Sequence, residues 1–514
     1  MIPALKSSDA TRAAWTSNMV AGATSAVVII PQGMAYALVA GVPPIHGLYA
    51  SLLPLLVYAF FGRSRQLSVG PGALDTLMVG AALAGAAFVT EANYLAVVAG
   101  LALMVGAIQV ALGLLRAGFV VGFLSRPVIS GFTSAAAITV AASQLGALLG
   151  IPAPRAPRVM TLLSSLVSNA SELHILTALV GVGSVLALIA LKKWRKRSPH
   201  ALLVVAATAA LSFALGFGER GVVIMGEIPA GLPSIVWPSV AMADLVSLVP
   251  SAIAIAFVGY LTVISIAQTF ANRNRYRIDP NRELVAIGTA NVAAAVTLGF
   301  PVSASFSRSA VHAQAGATSR FAAVMTAACV ALTLLLLTPL FGPLPKCTLA
   351  AIIITAVLGL VDWAAFKALL RSQTGDAIAL AVTFLATVSL GLEFGIFIGA
   401  AWSLATVLVS ARPNWESFRG RANKSPGGAI TSPAVLFYGN QHHLRDAIGD
   451  AAAVDGATGI DLDASALRWI DSSAVEMLRD AVAACEARGV ALRIRQPQAH
   501  IAKMLTHEGA AVDD

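Results

Sequence analysis

The chain has 514 residues, 57% of them hydrophobic and 11% charged, and a mean hydropathy of +0.80. Soluble domains carry roughly 25% charged residues, so composition excludes a water-soluble globular enzyme and leaves a polytopic membrane protein. The net charge of +9 does not signal nucleic acid, because the basic residues cluster in short loops between apolar runs.

Read in chain order, residues 1–12 form a short polar leader, expected to be cytoplasmic, and no small-residue cleavage site follows it. From Ala13 to Ser410 the pattern gives about 14 apolar segments. Residues 94–115, 175–191 and 322–340 have the length a transmembrane helix needs. Arg63 and Arg65, then Lys192, Lys193, Arg195, Lys196 and Arg197, then Arg273, Arg275, Arg277 and Arg282, then Lys367 and Arg371 occupy alternate loops. The intervening loops, 41–47 and 391–395, hold almost no Lys or Arg. That asymmetry predicts the basic loops and both chain ends inside the cell. The cysteines, Cys329, Cys347 and Cys485, are too scattered for a disulfide framework or a metal site.

Two segments are too short to cross alone, around 74–88 and 305–315. Each follows an extended stretch with Gly and Pro: LSVGPGALDTL (67–77) and GFPVSASFSRSAV (299–311). They occupy the third place in each half if the halves are about 13–217 and 241–410. Paired interrupted spans point to a transport site. Unwound backbone is tolerated at membrane depth only in protein or along a wet cavity. A half-helix beginning there aims free N–H groups and a positive dipole end at that cavity, and two such ends facing each other suit an anion.

Beyond Ser410 the chemistry changes. Residues 411–432 read as a polar linker. Residues 433–514 read as a small soluble α/β domain with strands at 457–462 and 489–494 and a helix over 471–488.

The motifs PQGMAYALVAGVPPIHGLYAS (31–51), RQLSVGP (65–71), YRIDPNREL (276–284) and PVSASFSRSAV (301–311) together resemble the SulP family of anion transporters, relatives of the animal SLC26 proteins. DLDASALRWIDSSAVEML (461–478) looks like a STAS domain. The resemblance covers nearly the whole chain. It implies 14 spans as seven plus seven in inverted repeats, with a core domain moving against a gate domain. It also implies an anion site between the third and tenth spans, with the first and eighth nearby.

Arg308 is the sharpest candidate, since a charge inside a membrane costs at least about 2.5 kcal/mol and its planar fork suits oxyanions. The competing reading is a structural ion pair. Ser303, Ser305 and Ser307, with Phe306 among them, offer hydroxyls to an anion or cap the half-helix. Gly72 and Ala73 present backbone on the opposite half-helix, behind Pro71. Gln32 can donate an amide without adding charge, and Tyr36 is a wall residue. Many relatives carry a coupling carboxylate in the eighth span, where this chain has Thr262. Asp75 instead stands one turn into the third-span half-helix. It is expected either to carry the coupling proton or to pair permanently with Arg308. His46 reads as a solvated loop group and Glu393 as an interfacial one in another loop. In the tail, Ser472 corresponds to the phosphorylated serine of stand-alone STAS proteins, though Asp471 and Ser472 also suit an ordinary helix cap.

No triad, phosphate loop or zinc spacing occurs, so the expectation is a transporter and not an enzyme, with neither cofactor nor metal. The substrate is expected to be a small inorganic or organic anion, sulfate first, with bicarbonate, dicarboxylates, exchange and passive conduction as alternatives. A proton, a second copy of the chain in a homodimer and a cytoplasmic protein at the STAS domain are the expected partners. The expected location is a bacterial inner membrane.

Overall fold

The computed structural model describes residues 8–84, 90, 93–118, 125–153, 158–194, 200–274, 276, 278–361, 363, 374–410, 423–424, 430–437, 440–452, 458–486, 488–499, 501–502, 505 and 512–513. The chain separates into two compact units: Met1–Gly118, Thr133–Val361 and Ala386–Gly395 in one, and Phe119–Phe132, Asp362–Leu385 and Ile396–Asp514 in the other.

The first unit is a bundle of apolar helices. In chain order they are α1 (Ser8–Ala40), α2 (Pro44–Phe61), the short α3 (Ala73–Leu83), α4 (Tyr94–Leu114), α5 (Arg126–Leu149), the small α6 (Val159–Ser168), α7 (Ile175–Trp194) and α8 (His200–Leu215). After a long extended connection come α9 (Met242–Ser247), α10 (Val249–Arg273), α11 (Pro280–Val296), the short α12 (Phe306–Gln314), α13 (Phe321–Leu332) and α14 (Lys346–Val357). Among the described residues, seven helices are long and apolar enough to cross a membrane. Sequence chemistry sets the breaks: Pro44 opens α2 at its first turn, while Pro280 opens α11 behind Asp279, whose carboxylate accepts the Asn281 and Arg282 N–H groups.

Packing reveals the repeat. α1 packs on α13 as α10 packs on α4, α2 on α13 as α11 on α4, and α1 on α12 as α10 on α3. Omitting the small α6 and α9, each pair becomes the other when every element moves seven places along. That is what an inverted repeat requires. Small residues let these helices close up: a Cβ on Gly106 would sit 2.7 Å from the Gly288 carbonyl oxygen, and a Cβ on Gly288 2.8 Å from the Gly106 oxygen. At the centre the two interrupted segments meet. β1 (Val69–Gly70) and β2 (Ser303–Ala304) pair antiparallel, Val69 with Ala304 and Gly70 with Ser303.

The turns poor in Lys and Arg are tighter than the sequence suggests. Helix α2 starts at Pro44, so His46 is not a solvated loop group. It is 8% exposed, and its Nδ1 lies 2.7 Å from the carbonyl oxygen of Leu298. Local periodicity cannot see that partner, 252 residues away. Glu393 likewise sits in a helical first turn and not in a loop.

In the second unit, the start of α5 packs on α15 (Thr374–Leu390): a Cβ on Gly131 would lie 2.6 Å from the Leu380 carbonyl oxygen. α16 (Leu392–Ser410) joins them through Gly399, which faces Val128 and Thr383. The tail carries a sheet in the order β3 (Asn423–Lys424), β4 (Ile430–Thr431), β6 (Gly459–Asp463), β8 (Ala491–Arg495) and β9 (Val512–Asp513). A parallel pair, β5 (Val435–Leu436) and β7 (Trp469–Ile470), stands apart. Helices α17 (Gln441–Ala451) and α18 (Ser472–Glu486) share with the strands an aliphatic core that includes Leu436, Leu444, Leu462, Leu478 and Ile494. β3 and β4 come from the stretch read as linker, so the folded tail begins before Pro433. On β6, the hydroxyl and backbone N–H of Ser465 hold the Asp463 carboxyl below its ordinary range.

Candidate anion-binding site

Both short helices begin where a two-residue strand ends, and the β1–β2 pairing brings their N-termini together. Gly72, with φ −113° and ψ 150°, is the N-cap of α3. Ser305, with φ −120° and ψ 127°, is the N-cap of α12. Neither makes a side-chain cap. Ser305 Oγ instead lies 3.1 Å from Ser307 Oγ, so this hydroxyl pair is not engaged in capping.

Arg308 is the largest fully buried side chain in the protein's described residues, at 0% exposure. Its Nη1 donates to the Pro71 carbonyl oxygen at 2.7 Å, which ties α12 to the last residues before α3. Its Nε and Nη2 have no protein partner. Gly70 lies beside the guanidinium: a Cβ there would be in ordinary contact with Nη2 at 3.6 Å and tight against Ile29 Cδ1 at 3.0 Å. Buried polar groups are ordinarily satisfied, and a guanidinium with two free donors is the planar fork that binds oxyanions and carboxylates.

Asp75 is 2% exposed. No salt bridge joins it to Arg308, although the two charges are within electrostatic reach of each other. Its Oδ2 accepts a short hydrogen bond from Ser303 Oγ. Both groups crowd the α position of Gly72, where a Cβ would meet Asp75 Oδ2 and lie 2.9 Å from Ser303 Oγ. The expected permanent Asp75–Arg308 pair is therefore absent, because the carboxylate turns back over the start of its own helix.

The first span supplies a third wall. Gln32 (8% exposed) and Tyr36 (5%) are buried on α1, with Ile29 against Gly70. Gln32 Oε1 has no partner, and Tyr36 is within electrostatic reach of Arg308. Ala73, at 8% exposure, opens α3 beside Gly72. Phe306 and Ser307 are exposed; Phe306 stacks on Phe270 of α10 with centroids 6.0 Å apart. In the eighth span, Thr262 bonds its own helix at the Val258 oxygen, 2.9 Å away. The residue that meets Asp75 is Gly259, whose Cβ would lie 3.2 Å from Asp75 Oδ1.

Two positioning residues were not singled out from the sequence. Asn291 on α11 grips the backbone of Val302 on both sides: its Oδ1 accepts from Val302 N at 2.7 Å and its Nδ2 donates to Val302 O at 3.1 Å. The same Nδ2 reaches Gln109 Oε1 at 2.9 Å, and Gln109 Nε2 donates to Ala256 O on α10 at 3.0 Å. Both side chains are 0% exposed. Their signal was the presence of an amide in an otherwise apolar span.

In the tail, Asp471 Oδ1 accepts from the Ala474 N–H at 2.7 Å and caps α18. Ser472 is the first residue of that helix, and its side chain lies outside the described residues.

Two half-helix N-termini set around a buried arginine, inside a twofold bundle of apolar helices, define an anion carrier. Comparison with known proteins agrees. The sulfate permease family model matches residues 15–383, and a Mlab-type STAS domain model matches residues 438–511. The chain belongs to the sulfate permease family, the SulP/SLC26 anion transporters. Probable sulfate transporter 4.2 of Arabidopsis thaliana is 34% identical over 526 residues, covering 96% of this chain and 77% of that protein. Human solute carrier family 26 member 6 is 33% identical, covering 85% and 63%. Among solved structures, the murine Solute Carrier 26 family member A9 anion transporter in the inward-facing state superposes with a TM-score of 0.74 at 26% identity, covering 99% and 89%. The transmembrane domain of the cyanobacterial bicarbonate transporter BicA gives 0.64 at 22% identity, covering 76% and 97%, and shares the fold.

Proposed function

We propose that this protein is a secondary transporter of a small oxyanion, sulfate first, working by alternating access and driven by protons through Asp75. The observation that carries the reading is Arg308: a fully buried guanidinium, fixed at Pro71, with two donors left over between two half-helix N-termini. Ser303, Gln32 and the backbone at Gly72 and Ala73 complete the donor set. Tyr36 walls it, and Ser305, Phe306 and Ser307 line its mouth. The named sulfate transporters among the relatives put sulfate ahead of bicarbonate and dicarboxylates, although these donors suit all three.

The transport domain is taken as residues 13–410, in repeats of about 13–217 and 241–410. Residues 411–422 are the connection, and the STAS domain follows, with β3 and β4 at its start. The basic loops support a reading with both termini in the cytoplasm, and the proposed location is a bacterial inner membrane. The working unit is a homodimer, and the tail receives a cytoplasmic partner.

The test is radiolabelled sulfate uptake into proteoliposomes with and without an inward proton gradient, competed by bicarbonate and by fumarate. Gradient-driven uptake that resists both competitors supports the reading. Electrogenic sulfate flux without proton dependence supports a passive conductor instead. No uptake by folded protein rejects sulfate.

A further inference from the structure

We infer that Asp75 is a tethered anion, which occupies the start of α3 when ionised and hands that place, with the Ser303 hydroxyl, to the transported anion when protonated. The inference rests on the proposed anion site and says how a proton would control it. Three observations carry it.

The first is position. Gly72 is the N-cap of α3, so Asp75 is the third residue inside the helix. An acid at that position can reach back to the N-cap, as in a capping box. Here it does so, because Asp75 Oδ2 fills the space a Gly72 side chain would need. An ionised Asp75 therefore sits against the positive end of α3, one of the two ends that would hold the anion.

The second is proton inventory. Ser303 has one hydroxyl proton, and an ionised carboxylate can only accept. Ser303 gives that proton to Asp75 Oδ2, so it has none for an anion. Once Asp75 takes a proton, its own O–H donates to Ser303 Oγ. The Ser303 proton is then released to the anion. One O–H bond forms on Asp75 as one breaks on a hydronium ion, leaving water; apart from that transfer only these hydrogen bonds rearrange.

The third is charge. Arg308 on α12 is the permanent charge within reach of Asp75, and Tyr36 on α1 is the other titratable group acting on Arg308. α10 and α4 present Gly259 and Gln109, and neither titrates. With Asp75 ionised, the pair has no net charge and attracts an anion weakly. With Asp75 neutral, the full Arg308 charge is available. Gly259 provides the room: its missing side chain leaves the carboxylate 3.2 Å from where a Cβ would stand.

Linkage makes the effect reciprocal, so an anion that binds better to the protonated protein also raises the protein's proton affinity. Sulfate is the probe, because it keeps its charge from mildly acidic to mildly alkaline pH. For the full-length protein in detergent, sulfate affinity is expected to rise about tenfold or more on acidification. Adding sulfate to a lightly buffered solution is expected to draw protons from it. Asp75→Asn is expected to hold the tight affinity at every pH and to take up no proton on binding. Ser303→Ala is expected to bind less tightly than wild type in acid, with a smaller swing. A pH swing and proton uptake that survive intact in Asp75→Asn overturn the inference. So does a wild type whose affinity is flat with pH and whose binding moves no proton, a measurement that needs no variant. In that case the anion site stands. If wild type binds none of sulfate, bicarbonate and fumarate at any pH, the anion-site reading falls and the switch with it.

Discussion

The two half-helix segments hold equivalent places in the repeat but opposite chemistry. The third-span segment starts α3 with glycine and bends its own acid back over that start. The tenth-span segment starts α12 with serine and buries an arginine one turn in, aimed back at the other segment's carbonyl. Duplication explains the shared backbone. The side chains then divided the work, with a fixed positive charge on one half and a charge that can be cancelled on the other. On the proposed reading, the permanent guanidinium recruits the anion and the carboxyl group near it makes that recruitment conditional.

Removing the fixed charge should have the largest effect. Arg308→Ala loses two donors to a charged ligand, each worth roughly 1.5 kcal/mol or more. Sulfate uptake into proteoliposomes is expected to fall about a hundredfold or further. If uptake stays near wild type, Arg308 is a structural residue and the contrast between the halves collapses.

Next is Gly72→Ala. A Cβ there lands on the Asp75 carboxylate, so the acid must leave the start of α3. Uptake is expected to lose its dependence on the proton gradient while counterflow exchange of labelled sulfate persists. Retention of full gradient dependence would mean that Asp75 acts from elsewhere.

Asn291→Ala tests what holds the tenth segment straight. It strips both backbone partners from Val302, a buried loss of roughly 1–3 kcal/mol for each group left unsatisfied. The expected result is a lower thermal midpoint in detergent together with weaker sulfate binding. An unchanged midpoint would show that the β1–β2 pairing suffices. Smallest of all is Ser305→Ala. Its hydroxyl caps nothing and shares a bond only with Ser307, so sulfate affinity is expected to stay within about threefold, well under the ~1.4 kcal/mol of a tenfold change. A large loss would promote Ser305 from the mouth of the site to a direct contact.

Much of this site was legible in the chain. Arg308, Asp75 and the serines stand out because ionisable and polar residues are rare in apolar spans. The Gly and Pro before each half-helix disclosed where the helices break. Asn291 and Gln109 carried the same kind of signal more weakly, as single amides inside helices of ordinary length. His46 was misread because its partner, Leu298, belongs to the other repeat. The absence of an Asp75–Arg308 ion pair was equally invisible, since sequence gives proximity without giving direction.

By itself the sequence determined the membrane class, the two interrupted segments and the soluble tail. Each of these follows from composition and local pattern, because a bilayer enforces helix length and backbone satisfaction on every segment alike. Only the tertiary structure decided that Gly70 and Ser303 pair, that Arg308 reaches Pro71, and that Asp75 takes its bond from Ser303 under Gly259. Those choices depend on which small residues let two distant backbones come together, and that is a property of the packed repeat that no local window of residues contains.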